Sequence, residues 1–247
     1  MAATFPALLQ DLLRADPGRP LVTFYDDATG ERVELSVATY ANWVAKTSSF
    51  FVDELDLERG GTLRVDLPTH WLGPVFLGAA WNVGLQVVPD GGADAVVCGP
   101  DGLTTYGELA GSLPVVACAL QPLGVRFRDP LPDGVHDFGV EVWSQPDSFL
   151  PYDPPGPEDA AVPGTSQRDL LGGPPDGPPD GPAGGPDLTG GDRLVTTANP
   201  VTPAGLPSFV GPLVRGGSTV WVRHPDPAAW ERRRDDERAT VEWRPEA

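Results

Sequence analysis

The sequence of 247 residues holds a single lysine, Lys46, among 17 basic residues. That scarcity removes whole classes of chemistry. A Walker-type phosphate loop needs a lysine to reach the β/γ-phosphates, so Lys46 is its only candidate, and Schiff-base catalysis has the same single candidate. Lys46 lies mid-helix between core positions Val44 and Thr47, which places it as a solvated surface charge. Cysteine is nearly absent too. Cys98 and Cys118 each sit inside a short β-like run, without a C-x-x-C pair or histidine-rich companion, and read as small buried hydrophobes rather than metal ligands.

Long apolar runs are missing. The longest, from Val75 to Leu85, is broken by Gly78 and Asn82 and falls far short of a membrane span. Met1 to Asp16 has neither a basic start nor an extended apolar stretch, so no signal peptide is expected. These features point to a reduced, cytoplasmic protein. A formal charge of −18 argues against nucleic-acid and anionic-membrane partners, both of which need a positive footprint. The three histidines, His70, His136 and His224, have no partner at metal-ligand spacing and read as surface or packing residues; no metal site is expected. No G-x-S-x-G elbow occurs, Ser218 falls in a hairpin-type turn after Gly216-Gly217, and no G-x-G-x-x-G follows a strand. Asp26-Asp27, Asp235-Asp236-Glu237 and Arg232 to Arg234 read as solvated, mixed-charge faces.

What is present is an α/β pattern. Apolar residues at helical spacing predict a helix over Ala38 to Leu55, ended by Gly60-Gly61. A strand over Leu63 to Leu67 follows, then a largely buried helix from Trp71 to Val83. Trp43, Trp71 and Trp81 fall at core positions of these helices. Further strands are expected at Leu85–Val88, Ala95–Cys98 and Val115–Leu120, with a short helix over Thr105 to Leu113. Beyond the centre come a strand at Leu194–Thr197, a helix within Gly205 to Val214, a strand at Thr219–Val222, a helix over Pro227 to Arg238 and a strand at Thr240–Trp243. The alternation predicts a layered, mostly parallel sheet flanked by helices, with both blocks in one sheet.

Residues 151–192 break this pattern, because 30 prolines and 30 glycines are concentrated unevenly in the chain. The PPDGPPDG core reads as an extended or disordered linker around 172–186. Residues 1–150 would form a first α/β block and 193–247 a second that completes the same domain.

In order and spacing the blocks resemble the AMP-dependent synthetases and ligases, the adenylate-forming family that includes acyl-CoA synthetases. The first match runs through Leu35-Ser36, Tyr40, Gly60-Gly61, Leu63 to Pro68, Ala79-Ala80-Trp81, Val87-Val88-Pro89 and Ala93 to Val97. The second runs through Asp192 to Val195, Ala198-Asn199-Pro200, Pro212 to Val220, Asp226-Pro227 and Glu237 to Thr240. A short actinobacterial branch of that family is the expected source.

The resemblance implies a Ser/Thr/Gly-rich phosphate loop ending in Pro-Lys-Gly after a strand at Glu158 to Val162. Here the chain passes from that strand directly to Thr165–Leu171, which is similar to the helix after the loop. Gly164, Thr165 and Ser166 are the only candidate remnants of a cofactor-binding loop. The family's "lPl.H" histidine is absent from Pro200 to Gly205, and its later motifs, including the catalytic lysine, would lie beyond Ala247. No catalytic residue carries over. ATP or AMP enters as a ligand by resemblance alone.

The expectation is therefore a non-catalytic remnant of the adenylate-forming fold acting as a binding or interaction protein. Its ligand would be a nucleotide, an acyl group or a protein at the sheet's carboxyl edge, and homo-oligomerisation would bury an exposed edge. The alternative is an acyl-CoA-synthetase-like enzyme that takes residues from another chain. A third reading, an unrelated α/β domain, predicts that residues 30–100 and 192–243 do not share one sheet.

Overall fold

The computed structural model describes residues 2–122, 125–172 and 185–245. Its twelve described strands form two five-stranded sheets and one hairpin. Sheet A, in the order β12-β10-β11-β1-β2, comprises β1 (Pro20–Asp26), β2 (Glu31–Ser36), β10 (Arg193–Thr196), β11 (Ser218–Arg223) and β12 (Val241–Trp243). It is parallel except for the β1–β2 pair. Sheet B, wholly parallel in the order β4-β3-β5-β6-β7, comprises β3 (Thr62–Asp66), β4 (Gln86–Val88), β5 (Ala95–Cys98), β6 (Val115–Ala117) and β7 (Val135–Asp137).

The single shared sheet expected from the sequence is thus two sheets. Residues 192–243 pair only within sheet A, and most of the 30–100 block lies in sheet B. Strand patterning reports that a strand is buried on both faces but not which sheet holds it.

Two helices lie between the sheets. Helix α2 (Val37–Asp53) packs on β1 and β2; helix α3 (Leu72–Val83) packs on β3 and β4; and the two helices pack on each other. Ser36 caps α2, its Oγ accepting from the Thr39 amide at 3.2 Å. Every residue of α3 is buried, as expected for an all-round apolar helix enclosed on its faces. Gly78 makes the close approach of α2 and α3 feasible. A Cβ there would lie 2.1 Å from the Tyr40 hydroxyl, which donates to the Pro74 carbonyl at 2.9 Å. One apolar cluster runs through α2 and α3 and includes Phe24 and Trp221 of sheet A with Leu63 and Val97 of sheet B. The outer face of sheet A, with Val195, Val220 and Val222, is covered by Trp230 of α8 (Pro227–Asp236). Tyr106 and its neighbours cover the outer face of sheet B.

Several local expectations shift. The helix over 105–113 shortens to α4 (Leu103–Tyr106), followed by a 3-10 turn from Gly107. Strand β6 stops at Ala117, three residues short, and Leu120 beyond it adopts a left-handed φ of 51°. Ser218 opens β11 rather than sitting in a hairpin turn, because its strand pairs in parallel on both sides. The N-terminal α1 (Phe5–Ala15), together with β1, β7 and α5 (Phe138–Glu141), was not read from the sequence. Within 151–192, β8 (Ala160–Val162), β9 (Thr165–Ser166) and α6 (Gln167–Gly172) are ordered elements. The segment expected to be disordered, 172–186, lies mostly outside the described residues.

Of the charges read as solvated faces, Arg232, Asp235 and Asp236 are exposed as expected, while Asp26, Asp27, Arg233 and Glu237 are buried or nearly so. Asp26 accepts from His224 Nδ1 at 2.9 Å, and Asp27 pairs with Arg233, both side chains near 10 % exposed. Glu237 is buried among Tyr25, Arg32 and Arg193. These pairs bridge α8 and its C-terminal turn to sheet A, a long-range partnership that sequence runs do not reveal. Lys46 is likewise not solvated. Its side chain is 17 % exposed, donates to the Gln145 carbonyl and pairs with Asp147 at 3.0 Å.

Candidate functional site

The carboxyl ends of parallel strands leave a crevice wherever neighbouring crossovers diverge, and α/β proteins place ligands there. In this chain the ends of β4 and β8 meet the loop that follows β10. Between them lies a cavity of about 460 Å3 walled by Leu77, Val87, Val162, Leu170, Val201 and Leu206, with Pro89, Pro163 and Pro203. Thr165, Asp169 and Thr202 are its polar lining residues.

The turn beside it occupies the position read as the remnant of a phosphate loop. Strands β8 and β9 form a tight hairpin in which Val162 faces Thr165 and Ala160 faces Ser166. Pro163 and Gly164 make the turn, and Gly164 has a left-handed φ of 74° with open space around its Cα. Glycine suits that backbone because a side chain there is strained. Ser166 is committed to starting α6: its Oγ accepts from the Asp169 amide at 3.1 Å and donates to the Asp169 carboxylate at 2.7 Å. So Gly164, Thr165 and Ser166 share one turn, and of the three only Thr165 lines the cavity.

The hairpin is tied down from below. The buried Gln167 accepts from the Phe5 amide at 2.8 Å and donates to the Trp81 carbonyl at 2.7 Å. The Trp81 indole donates to the Ala161 carbonyl at 3.0 Å. Arg59 grips the Asp159 carboxylate with two donors at 2.6 and 2.8 Å, and these bonds hold that carboxyl below the usual range. Sequence reading missed Gln167 because a lone amide in a short helix carries no periodic signal.

A second, polar crevice of about 640 Å3 opens where the ends of β3, β5 and β6 face β11. Its walls include Asp66, Asp101, Asn199 and Arg223. Asp66 accepts from the Tyr106 hydroxyl at 2.7 Å, and Asn199 donates to the Leu67 carbonyl at 2.8 Å. The Asn199 to Gly205 stretch, where the resemblance implies a histidine, is a turn in which the Asn199 carbonyl accepts from the Thr202 amide at 3.1 Å. Within it Val201 is a packing group that stands over Gly73, where a Cβ would come within 3.0 Å.

The histidines do not assemble. His70 is buried against Phe24 at 4.9 Å between ring centroids and accepts from the Leu72 amide. Burial, helped by the nearby Arg223 charge, lowers its pKa to about 3. His136 pairs with Glu141 and His224 with Asp26. Among the described residues no group of three His, Cys, Asp or Glu side chains could hold a metal. Cys98 and Cys118 are buried free thiols; burial raises both, Cys98 to about 11.

No protein-family model matches the chain. A curated Mycobacterium tuberculosis protein described as a TIGR03089 family protein is 37 % identical over 240 residues, covering 95 % of each chain. The chain belongs to the TIGR03089 family. Solved structures place this family member in a wider fold. A Brucella canis acyl-CoA synthetase superposes with a TM-score of 0.73 at 18 % identity, over 96 % of this chain and 47 % of that one. The Streptomyces lividans acetoacetyl-CoA synthetase gives 0.72 at 16 % identity, over 98 % and 42 %. A Mycobacterium tuberculosis fatty acyl CoA synthetase gives 0.68 at 14 % identity, over 96 % and 48 %. The fold of this TIGR03089 member is therefore that of acyl-CoA synthetases, of whose chains it spans about half. That likeness answers the reading of an unrelated α/β domain, although residues 30–100 and 192–243 do not share one sheet.

Proposed function

We propose that this protein is a non-catalytic binding protein on the acyl-CoA-synthetase fold, and that it holds a small apolar molecule in the cavity beside the β8–β9 hairpin. The observation that carries the reading is the hairpin itself. Adenylate formation needs backbone donors and cations around the triphosphate. Where the resemblance implies a glycine-rich loop with its lysine, this chain has a two-residue turn, Pro163-Gly164, and Ser166 is spent on capping α6. The cavity walls next to that turn are apolar, and their volume falls in the range of small-molecule sites.

A ligand that binds only the folded protein raises its melting temperature by mass action, by about 2.7 kcal/mol of stability at a hundredfold excess over Kd. Decyl alcohol and similar apolar molecules are expected to raise the melting temperature, while millimolar ATP or AMP leaves it unchanged. The reverse pattern would overturn the reading. The half-length match to synthetases supports a second reading, a ligase completed by another chain, and it predicts that ATP binds and is used once that chain is supplied.

A further inference from the structure

We infer that the ligand of the β8–β9 cavity is an apolar molecule carrying a protonated amine, and not a carboxylic acid. The inference rests on the cavity being the binding site and concerns which head group it accepts. The cavity lining contains no arginine, lysine or histidine. Its one ionisable residue is Asp169, at the exposed rim. One carboxylate oxygen of Asp169 accepts from Ser166, and its Oδ1 has no partner among the described residues. The Thr165 hydroxyl can hydrogen-bond a neutral or cationic head, whereas the Thr202 hydroxyl already donates to the Asn199 carbonyl and accepts from the Gly205 amide; neither brings charge to balance an anion.

Neither Arg64 nor Arg168 lines the cavity. Arg64 reaches only the outer side of the wall, donating to the Pro89 carbonyl at 3.3 Å, and its neighbours Leu63 and Val65 face the core from the opposite side of β3. Arg168, next to Asp169 in the chain, pairs with Glu158 at 2.8 Å. A carboxylate in this site would meet Asp169 at close range and the field of a chain with net charge −18. An ammonium would find an acceptor at the mouth while its tail replaced water on the apolar walls. Charge complementarity therefore selects the occupant, and it selects against the acids that a synthetase of this fold would activate.

The test uses ligands with the same tail: decylamine, decanol and decanoate, titrated calorimetrically into the full chain below their micellar concentrations. Because an exposed ion pair changes affinity only severalfold, exchanging attraction for repulsion at Asp169 is expected to separate amine from carboxylate by about tenfold, with the alcohol between. Asp169→Asn is expected to bring amine and alcohol within about twofold of each other while the alcohol affinity stays unchanged. Leu206→Trp, which fills the cavity, is expected to abolish binding of both. Decanoate binding as tightly as decylamine would overturn the head-group inference and leave the binding role intact. So would an amine preference that survives Asp169→Asn. Amine binding that survives Leu206→Trp would place the amine on the acidic surface and overturn the inference as well. If none of the three ligands binds the folded protein, the binding role fails, and the inference with it.

Discussion

At the residue scale, long-range pairs hold the charges that the fold encloses. Asp26, Asp27 and Glu237 each bond a side chain about 200 residues away in the sequence. Burial pushes Glu237 upward, but bonds from Tyr25, Arg193 and Arg32 outweigh it and hold its carboxyl below the ordinary range. His70, read as a surface or packing residue, is buried. Its folded pKa of about 3 lies below the 6.5 of an exposed histidine. The unfolded chain therefore takes up a proton that the folded protein refuses. The stability this confers is fully present above pH 6.5 and is lost as pH falls toward 3, by roughly 5 kcal/mol over the whole window. His70→Asn, which can still accept from the Leu72 amide, is expected to flatten denaturant-derived stability between pH 6.5 and 4. An unchanged slope would show that another group sets the acid sensitivity.

At the element scale, what could be read depended on length and periodicity. Helix α2 shows its buried face through Tyr40, Val44, Phe50 and Phe51, and α3 is marked by being apolar but for Asn82. The edges were harder. Strand β1 mixes Thr23 and Asp26 with its apolar residues and follows the amphipathic α1 after a short turn, and β7 has only three residues. Of the hairpin at 160–166 the sequence shows only the first strand and the helix beyond it, both through the resemblance; the pairing of Thr165 and Ser166 as β9 carries no signal in two residues. The hairpin's anchoring by Gln167 was not legible at all. Gln167→Ala leaves the Phe5 amide and the Trp81 carbonyl unpaired in a dry interior, which costs about 2 to 4 kcal/mol. Urea unfolding measures this directly. The same variant is expected to weaken ligand binding at the cavity, since the hairpin forms one wall.

At the scale of the whole molecule, the chain closes two mostly parallel sheets over one helical layer, and its exposed strand edges are short or charged. Strand β12 carries Glu242, which pairs with Arg244 at 2.8 Å, and Arg244 stacks on Trp230. Strand β2 presents Glu31, Arg32 and Glu34. Such edges resist strand addition. The C-terminal helix is held by the Asp27–Arg233 pair, where removing one partner leaves a buried charge. Arg233→Ala is therefore expected to cost about 3 kcal/mol or more, lowering the unfolding midpoint, while Asp27→Asn in the same chain restores part of it. Among the described residues no helix is long and apolar enough to cross a membrane.

We propose that this fold persists here without phosphate-handling chemistry. ATP–pyrophosphate exchange by the purified protein, across a panel of carboxylic acids, measures the adenylating half-reaction alone. No acid-dependent exchange above background is expected; robust exchange with any acid would contradict the proposal.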